Sequence, residues 1–205
     1  TYVTTLLTLR GATVPETSYY AALQTLLNDV GVGLRPRVQA VIHPKDTGAG
    51  IPDLGLYDEN QPLDQKPARG IIEAKPVSDD LLKIAHGEQV ARYVGHYGQA
   101  LVTNYYQFVL VTRNAQTGQP VIEERYDLVA NAAAFWEAAK HPRTFADKHA
   151  TALREYLMRV MRRTAQLSSP QDVAWILASY AREARARIET GGADLAALNT
   201  IREQL

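Results

Sequence analysis

The sequence predicts an α/β protein with a central mixed five-stranded sheet flanked by helices, plus a C-terminal helical annex. Three observations predict it. Apolar residues recur at helical spacing ahead of residue 31, and short runs rich in β-branched residues, bounded by Gly and Pro, fill much of residues 37–113. From about residue 128 the pattern is helical. The order helix, three strands, helix, two strands, then helices places an α/β core in residues 1–127 and a helical annex or connector in residues 128–205.

Each element has its own signal. Tyr19, Leu23, Leu26, Leu27 and Val30 lie on one helical stripe, and "GVG" from residue 31 ends it. "RVQAVIH" (37–43) reads as a strand, and "PKDTGAGIP" (44–52) as a loop by its Gly and Pro content. In "DLGLYD" (53–58) Leu54 and Leu56 alternate with Asp53, Gly55 and Tyr57, which suits a second strand. The polar turn "ENQPLDQKPARG" leads into the third, "IIEAK" (71–75). Residues 81–97 carry a helical pattern, with Gly87 and Gly95 lowering its propensity. "ALVTN" and "YQFVLVTR" are two short strands on either side of a tight polar turn near Asn104. Beyond residue 128 the helical pattern breaks at "HPR", at "SSPQD" and at the Gly-Gly near residue 191.

Composition narrows the functional classes. The 205 residues are 46% hydrophobic and 21% charged, ordinary for a globular domain with a sizeable core. No apolar run approaches the roughly 20 residues of a membrane-spanning helix. The N-terminal stretch has neither a basic n-region nor a cleavage site, so no signal peptide is expected. The chain has no cysteine, which removes disulfides and thiolate metal sites and fits a cytoplasmic location. It does not begin with Met, which leaves a fragment and a trimmed chain as the two expectations. Zero net charge argues against a free-standing, high-affinity nucleic-acid binder, because phosphate neutralisation supplies most of such affinity. Residues 1–80 nevertheless carry an acidic excess, where a divalent cation is most easily held.

That excess includes a patterned group. In a strand, residues i and i+2 share a face, so Glu73 and Lys75 project together while Ala74 turns into the core. If the strand after Asp53 pairs antiparallel with "IIEAK", Asp53 approaches Glu73 at one sheet edge. Two carboxylates are the hard oxygen ligands Mg²⁺ takes. A lysine beside them can orient a water and stabilise phosphoryl charge. This is equipment for phosphodiester hydrolysis.

Pro52-Asp53, a spacer of 19 residues and then Glu73-Ala74-Lys75 resemble the signature of the PD-(D/E)XK nuclease superfamily. "PETSYYAALQTLL" resembles the first helix of such nucleases, and "GEQVARYVGHYGQALVTNYYQFVLV" their downstream helix and strand pair. The combination, over about residues 10–115, is most similar to the N-terminal nuclease domain of Type IIG and Type ISP (Mrr-like) restriction-modification enzymes. The resemblance implies a restriction-endonuclease-like fold and Mg²⁺-dependent DNA cleavage to 5′-phosphate products, with Mn²⁺ as a substitute. It implies Asp53, Glu73, the Ala74 carbonyl and Glu16 as metal ligands, Lys75 as the residue that positions water, and Gln89 as a supporting catalytic residue. The partners it implies are double-stranded DNA, a fused or associated N6-adenine methyltransferase with a target-recognition domain, and dimerisation on DNA. No membrane is implied.

Plainer readings stand beside these. Asp53 follows Ile-Pro, where Asp commonly forms a turn with its own backbone. Glu73 and Lys75 could be an exposed ion pair, although the adjacent Ile71 and Ile72 mark a strand buried on both faces. Thr13 and Glu16 form a capping box, which stabilises a helix start with or without a metal. Gln89 could be a polar helix residue. The five histidines show no ligand spacing and read as surface or loop residues, and the arginines at 154, 159, 162 and 163 as a solvated helix face with a Glu155–Arg159 pair. Neither GxxxxGK[ST] nor GxGxxG is present, which disfavours a phosphate-loop enzyme. A nuclease-like fold used as a catalytically inactive nucleic-acid-binding or protein-docking module is the alternative function.

Overall fold

The computed structural model describes residues 2–12, 14–15, 17–163 and 170–190. Among them the elements run α1 (Tyr2–Arg10), α2 (Thr17–Gly31), β1 (Val38–Ile42), β2 (Leu54–Asp58), β3 (Ile71–Ala74), α3 (Leu81–Ala85), α4 (Glu88–Tyr97), β4 (Gln99–Thr103), β5 (Gln107–Arg113), β6 (Pro120–Asp127), α5 (Ala132–Ala139), α6 (Pro142–Arg162) and α7 (Pro170–Thr190). The strands form one six-stranded sheet in sequence order. Every neighbouring pair is antiparallel except β3 and β4, which run parallel. A parallel pair needs a long crossover, and α3 with α4 supplies it.

Period-two alternation divides the central strands between two helical layers. Ile71, Ala100, Val102, Val109 and Val111 pack on Val90, Tyr93, Val94 and Tyr97 of α4. On the opposite face Gln99 Nε2 donates to the Val160 carbonyl of α6 at 3.0 Å, and Tyr156 Oη donates to the Phe108 carbonyl at 3.2 Å. With both faces covered, β3 and β4 are buried along their whole length. This is why "IIEA" shows no alternation in sequence.

The sheet has six strands rather than the expected five. The added strand, β6, begins with Pro, carries Glu123, Glu124 and Arg125 in succession, and lies at the sheet edge, where proline and charge are tolerated. A bulge opposite Leu110 and Val111 lets Ile122 and Glu124, two residues apart, face opposite layers. Ile122 joins the α4 cluster, whereas Glu124 forms a buried ion pair with Arg159 of α6. Burial still alternates along β6, but its half-buried positions hold Pro120 and Glu124 as well as Ile122 and Tyr126, so no apolar period shows in the sequence. Arg159 is accordingly a buried cation rather than part of a solvated face, and Arg163 reaches Glu123 at 2.9 Å.

Two further differences have local causes. Helix α1 was missed because "YVTTLLTLR" is rich in Thr and β-branched residues, and its burial of Val3 and Leu6 comes from tertiary packing. The expected helix over 81–97 is two helices. Gly87 takes an extended conformation (φ −77°, ψ 158°) as N-cap of α4, and Asp80 caps α3 by accepting from Leu82 and Lys83.

Two compact units divide the chain, Thr1–Ala165 and Gln166–Leu205. The expected boundary at residue 127 falls inside the first, where α5 and α6 contact each other and pack on α1 and α2. The second contains helix α7. The side chains of Trp175, Glu183 and Arg187 lie outside the described residues. No described helix is long and apolar enough to cross a membrane.

Helix α2 ends where it meets β1. A Cβ added to Gly31 would lie 1.9 Å from the Val38 carbonyl oxygen, a backbone atom that cannot rotate away. Gly31→Ala should therefore destabilise the protein by about 1–3 kcal/mol, as overpacking commonly does, read as a lowered midpoint in urea denaturation. An unchanged midpoint would contradict this contact.

Candidate functional site

The site forms where β2 and β3 part. They pair through only Leu54 with Ile72 and Gly55 with Ile71, against five pairs each for β1–β2 and β4–β5. One step further, the Asp53 carbonyl accepts from His43 N at 2.9 Å, so the backbone of Asp53 stays with the β1 side. Its side chain replaces the lost ladder bond: Asp53 Oδ2 accepts from Ala74 N at 2.8 Å. The carboxylate thus sits at the start of β2 beside the end of β3. This gap lies between interior strands, at their ends, rather than at a lateral sheet edge.

Glu73, only 3% exposed, lies at the same end of β3. Its Oε1 accepts from Lys75 Nζ at 2.6 Å and from Gln89 Nε2 at 2.9 Å. The i, i+2 relation puts Lys75 on the face of Glu73, and α4 brings Gln89 over it from the crossover. Burial pushes the Glu73 carboxyl above the ordinary glutamate value of 4.5; the Lys75 bond opposes this, Asp53 adds to it by charge repulsion, and Gln89 opposes it more weakly. Ala74 is buried, and Lys75 N continues the parallel ladder to the Thr103 carbonyl at 2.8 Å. In an extended strand the N–H and C=O of one residue face the same neighbour, so the Ala74 carbonyl turns toward the Asp53 side.

The structure therefore brings Asp53, Glu73, Ala74, Lys75 and Gln89 together. Glu16 lies outside the described residues. The donor set suits a hard cation: the internal hydrogen bonds use Oδ2 of Asp53 and Oε1 of Glu73, which leaves Oδ1 and Oε2 as ligand atoms. Among the described residues there is no group of three or more His, Cys, Asp or Glu able to hold a metal. Mg²⁺ is commonly held by one or two carboxylates with waters and phosphate oxygens, so two suffice.

Sequence reasoning missed the residues that fix the loop delivering Asp53. In residues 44–52, Asp46 accepts from the N–H groups of Gly48 and Gly50, which hold its carboxyl below the ordinary value of 3.8. Both glycines have positive φ, 117° and 92°. Helix α4 then takes three successive carbonyls of this loop: Arg92 Nε donates to Ala49 at 3.0 Å, Tyr97 Oη to Gly50 at 3.2 Å and Tyr93 Oη to Ile51 at 3.2 Å. Tyr93 also accepts from Gln89 Nε2 at 3.2 Å, so one hydroxyl joins the Asp53 loop to the residue that holds Glu73. Burial pushes the Tyr93 phenol up, which keeps it a neutral donor. On the sequence Tyr93 counts only as an apolar residue packed on the sheet; its spacing of four from Gln89 is the signal that links them.

No family model matches the chain, and no curated protein matches it. Among solved structures it is similar to the type IIG restriction endonuclease BpuSI (TM-score 0.44, 14% identity, 71% of this chain and 16% of that one). It is also similar to DrdV in its cryo-EM complex with DNA (TM-score 0.36, 24% identity, 75% and 14%). The chain thus spans only 16% of the length of the first protein and 14% of the second. Identities below 25% and TM-scores below 0.5 assign no activity to this chain.

The raised pKa of Glu73 has a signed consequence. A carboxyl whose pKa is higher folded than unfolded stabilises the protein at low pH, and that contribution is lost as pH climbs above the ordinary value. Raising the pH from 4.5 toward neutrality should therefore lower the Tm of metal-free wild type relative to Glu73→Gln. Parallel Tm–pH curves for the two proteins would contradict the raised pKa of Glu73.

Proposed function

We propose that this chain is a Mg²⁺-dependent DNA endonuclease domain, the cleavage module of a restriction-modification protein. One observation carries the reading: a buried glutamate held by a lysine and a glutamine stands beside an aspartate that replaces a backbone ladder bond. Asp53 and Glu73 would hold the cation, with the Ala74 carbonyl and Glu16 as further ligands, and when bound it would supply Lewis-acid stabilisation of phosphate charge. The Lys75 ammonium positions a water for in-line attack on phosphorus. As the water oxygen bonds to phosphorus and gives up a proton to solvent, the P–O3′ bond breaks and the 3′-oxygen takes up a proton from solvent, leaving 5′-phosphate and 3′-hydroxyl ends. Gln89 keeps Glu73 oriented. The reading extends to double-stranded DNA as substrate, Mn²⁺ as a substitute metal, and dimerisation on DNA for double-strand cutting. It also extends to a fused or associated N6-adenine methyltransferase with target recognition, and to a cytoplasmic location.

One observation favours a second reading, a nuclease-like module without catalysis: Glu73 is already held within the chain by Lys75 and Gln89. Calorimetry separates the two. Mn²⁺ binding that disappears in Asp53→Ala supports the enzyme, and no binding by wild type supports the inactive module.

Lys75→Ala should abolish cleavage of supercoiled plasmid in Mg²⁺ while keeping a wild-type circular-dichroism spectrum. Wild-type-like cutting by this variant would sink the assignment. Gln89→Ala should retain the fold and lose about 10–100-fold in activity or metal affinity, the usual effect of removing a residue that orients a ligand; full activity would remove Gln89 from the site.

A further inference from the structure

Beyond Lys75 the chain runs into the wall of an open cavity. Its volume is about 480 Å³, and it is lined by Pro76, Val77, Ser78, Tyr19, Tyr105 and Trp136, with Val14 and Ala132. The volume lies within the roughly 300–1,000 Å³ of small-ligand sites. Its walls come from α2, the segment after β3, the β4–β5 turn and α5. Tyr19 and Trp136 are each partly exposed, whereas Tyr105 is 2% exposed.

Tyr105 is also conformationally strained. Its φ is 74°, a region bulky side chains rarely occupy. The position is held on both sides: Tyr105 N donates to Thr103 Oγ1 at 3.0 Å, and its carbonyl accepts from Tyr2 Oη at 2.9 Å. Such strain persists only where the surroundings over-determine it, and it concentrates at ligand sites. The Tyr19 and Tyr105 rings stand 5.5 Å apart at 48°, forming an aromatic corner. The Arg10 guanidinium lies 4.6 Å from the Trp136 ring centroid, which places a cation beside one of the lining residues.

We propose that this cavity takes an unpaired nucleobase of the DNA strand adjoining the cleaved phosphate. Aromatic rings bind any base through its π-face, and strand backbones accompany such stacking with cationic contacts. Pro76, Val77 and Ser78 of the cavity wall directly follow Lys75 in the chain, which puts the wall next to the residue at the proposed phosphate position. The proposal rests on the nuclease reading for the identity of the polymer.

Fluorescence anisotropy in EDTA tests it, with 5′-fluorescein-labelled (dT)₄ and an abasic tetramer of the same backbone as probes. Wild type should bind (dT)₄ more tightly than the abasic probe. Tyr19→Leu should weaken (dT)₄ binding about tenfold, the scale of one lost stack, and leave abasic binding unchanged; Tyr19→Phe should bind as wild type does. Equal binding of the two probes, no binding of either, or an equal loss of both in Tyr19→Leu would overturn the proposal. Plasmid cleavage measured alongside separates the two readings. Lys75-dependent cutting without base preference removes the cavity alone, and base preference without cutting removes the nuclease reading alone.

Discussion

Burial of Glu73 beside Asp53 is the constraint on which the site is built. Removing a carboxylate from water costs several kcal/mol, and a hydrogen bond to a charged group returns about 1.5–3 kcal/mol. The bonds from Lys75 and Gln89 therefore bring Glu73 near balance without a surplus, and its raised pKa expresses the remaining deficit. Asp53 enlarges that deficit. The Lys75 ammonium and the Ala74 amide are the groups that answer the charge of these two carboxylates within the chain.

The surrounding fold fixes both carboxylates. The loop carrying Asp53 is held at three consecutive carbonyls by α4, the helix that also supplies Gln89. The helix is itself placed by the parallel β3–β4 crossover and by its apolar face on the sheet. Packing, crossover and site geometry are thus one arrangement. Movement of α4 would displace both the support of Glu73 and the loop that holds Asp53.

Most of the central sheet was readable because its strands are short, β-branched and bounded by Gly and Pro. The edge strand β6 was not, since Pro120 and Glu124 occupy half-buried positions and its run of charges resembles a loop. Helix α1 escaped for the opposite reason: its residues have weak intrinsic helical preference and gain their order from contacts made far along the chain, such as that of Tyr2 with Tyr105. Arg159 was misplaced because its partner, Glu124, lies 35 residues away on the unrecognised strand.

Local chemistry alone determined the spacing of Asp53, Glu73 and Lys75, the shared face of the last two, and the loop before Asp53. These are properties of strand period and turn residues, which neighbouring sequence fully specifies. Tertiary structure decided what that spacing means. It placed Asp53 on the Ala74 amide, set Gln89 on Glu73, recruited Tyr93, Tyr97 and Arg92 to the loop, and buried the glutamate. Desolvation and hydrogen-bond direction depend on which elements meet in space, and no pattern along the chain encodes that meeting.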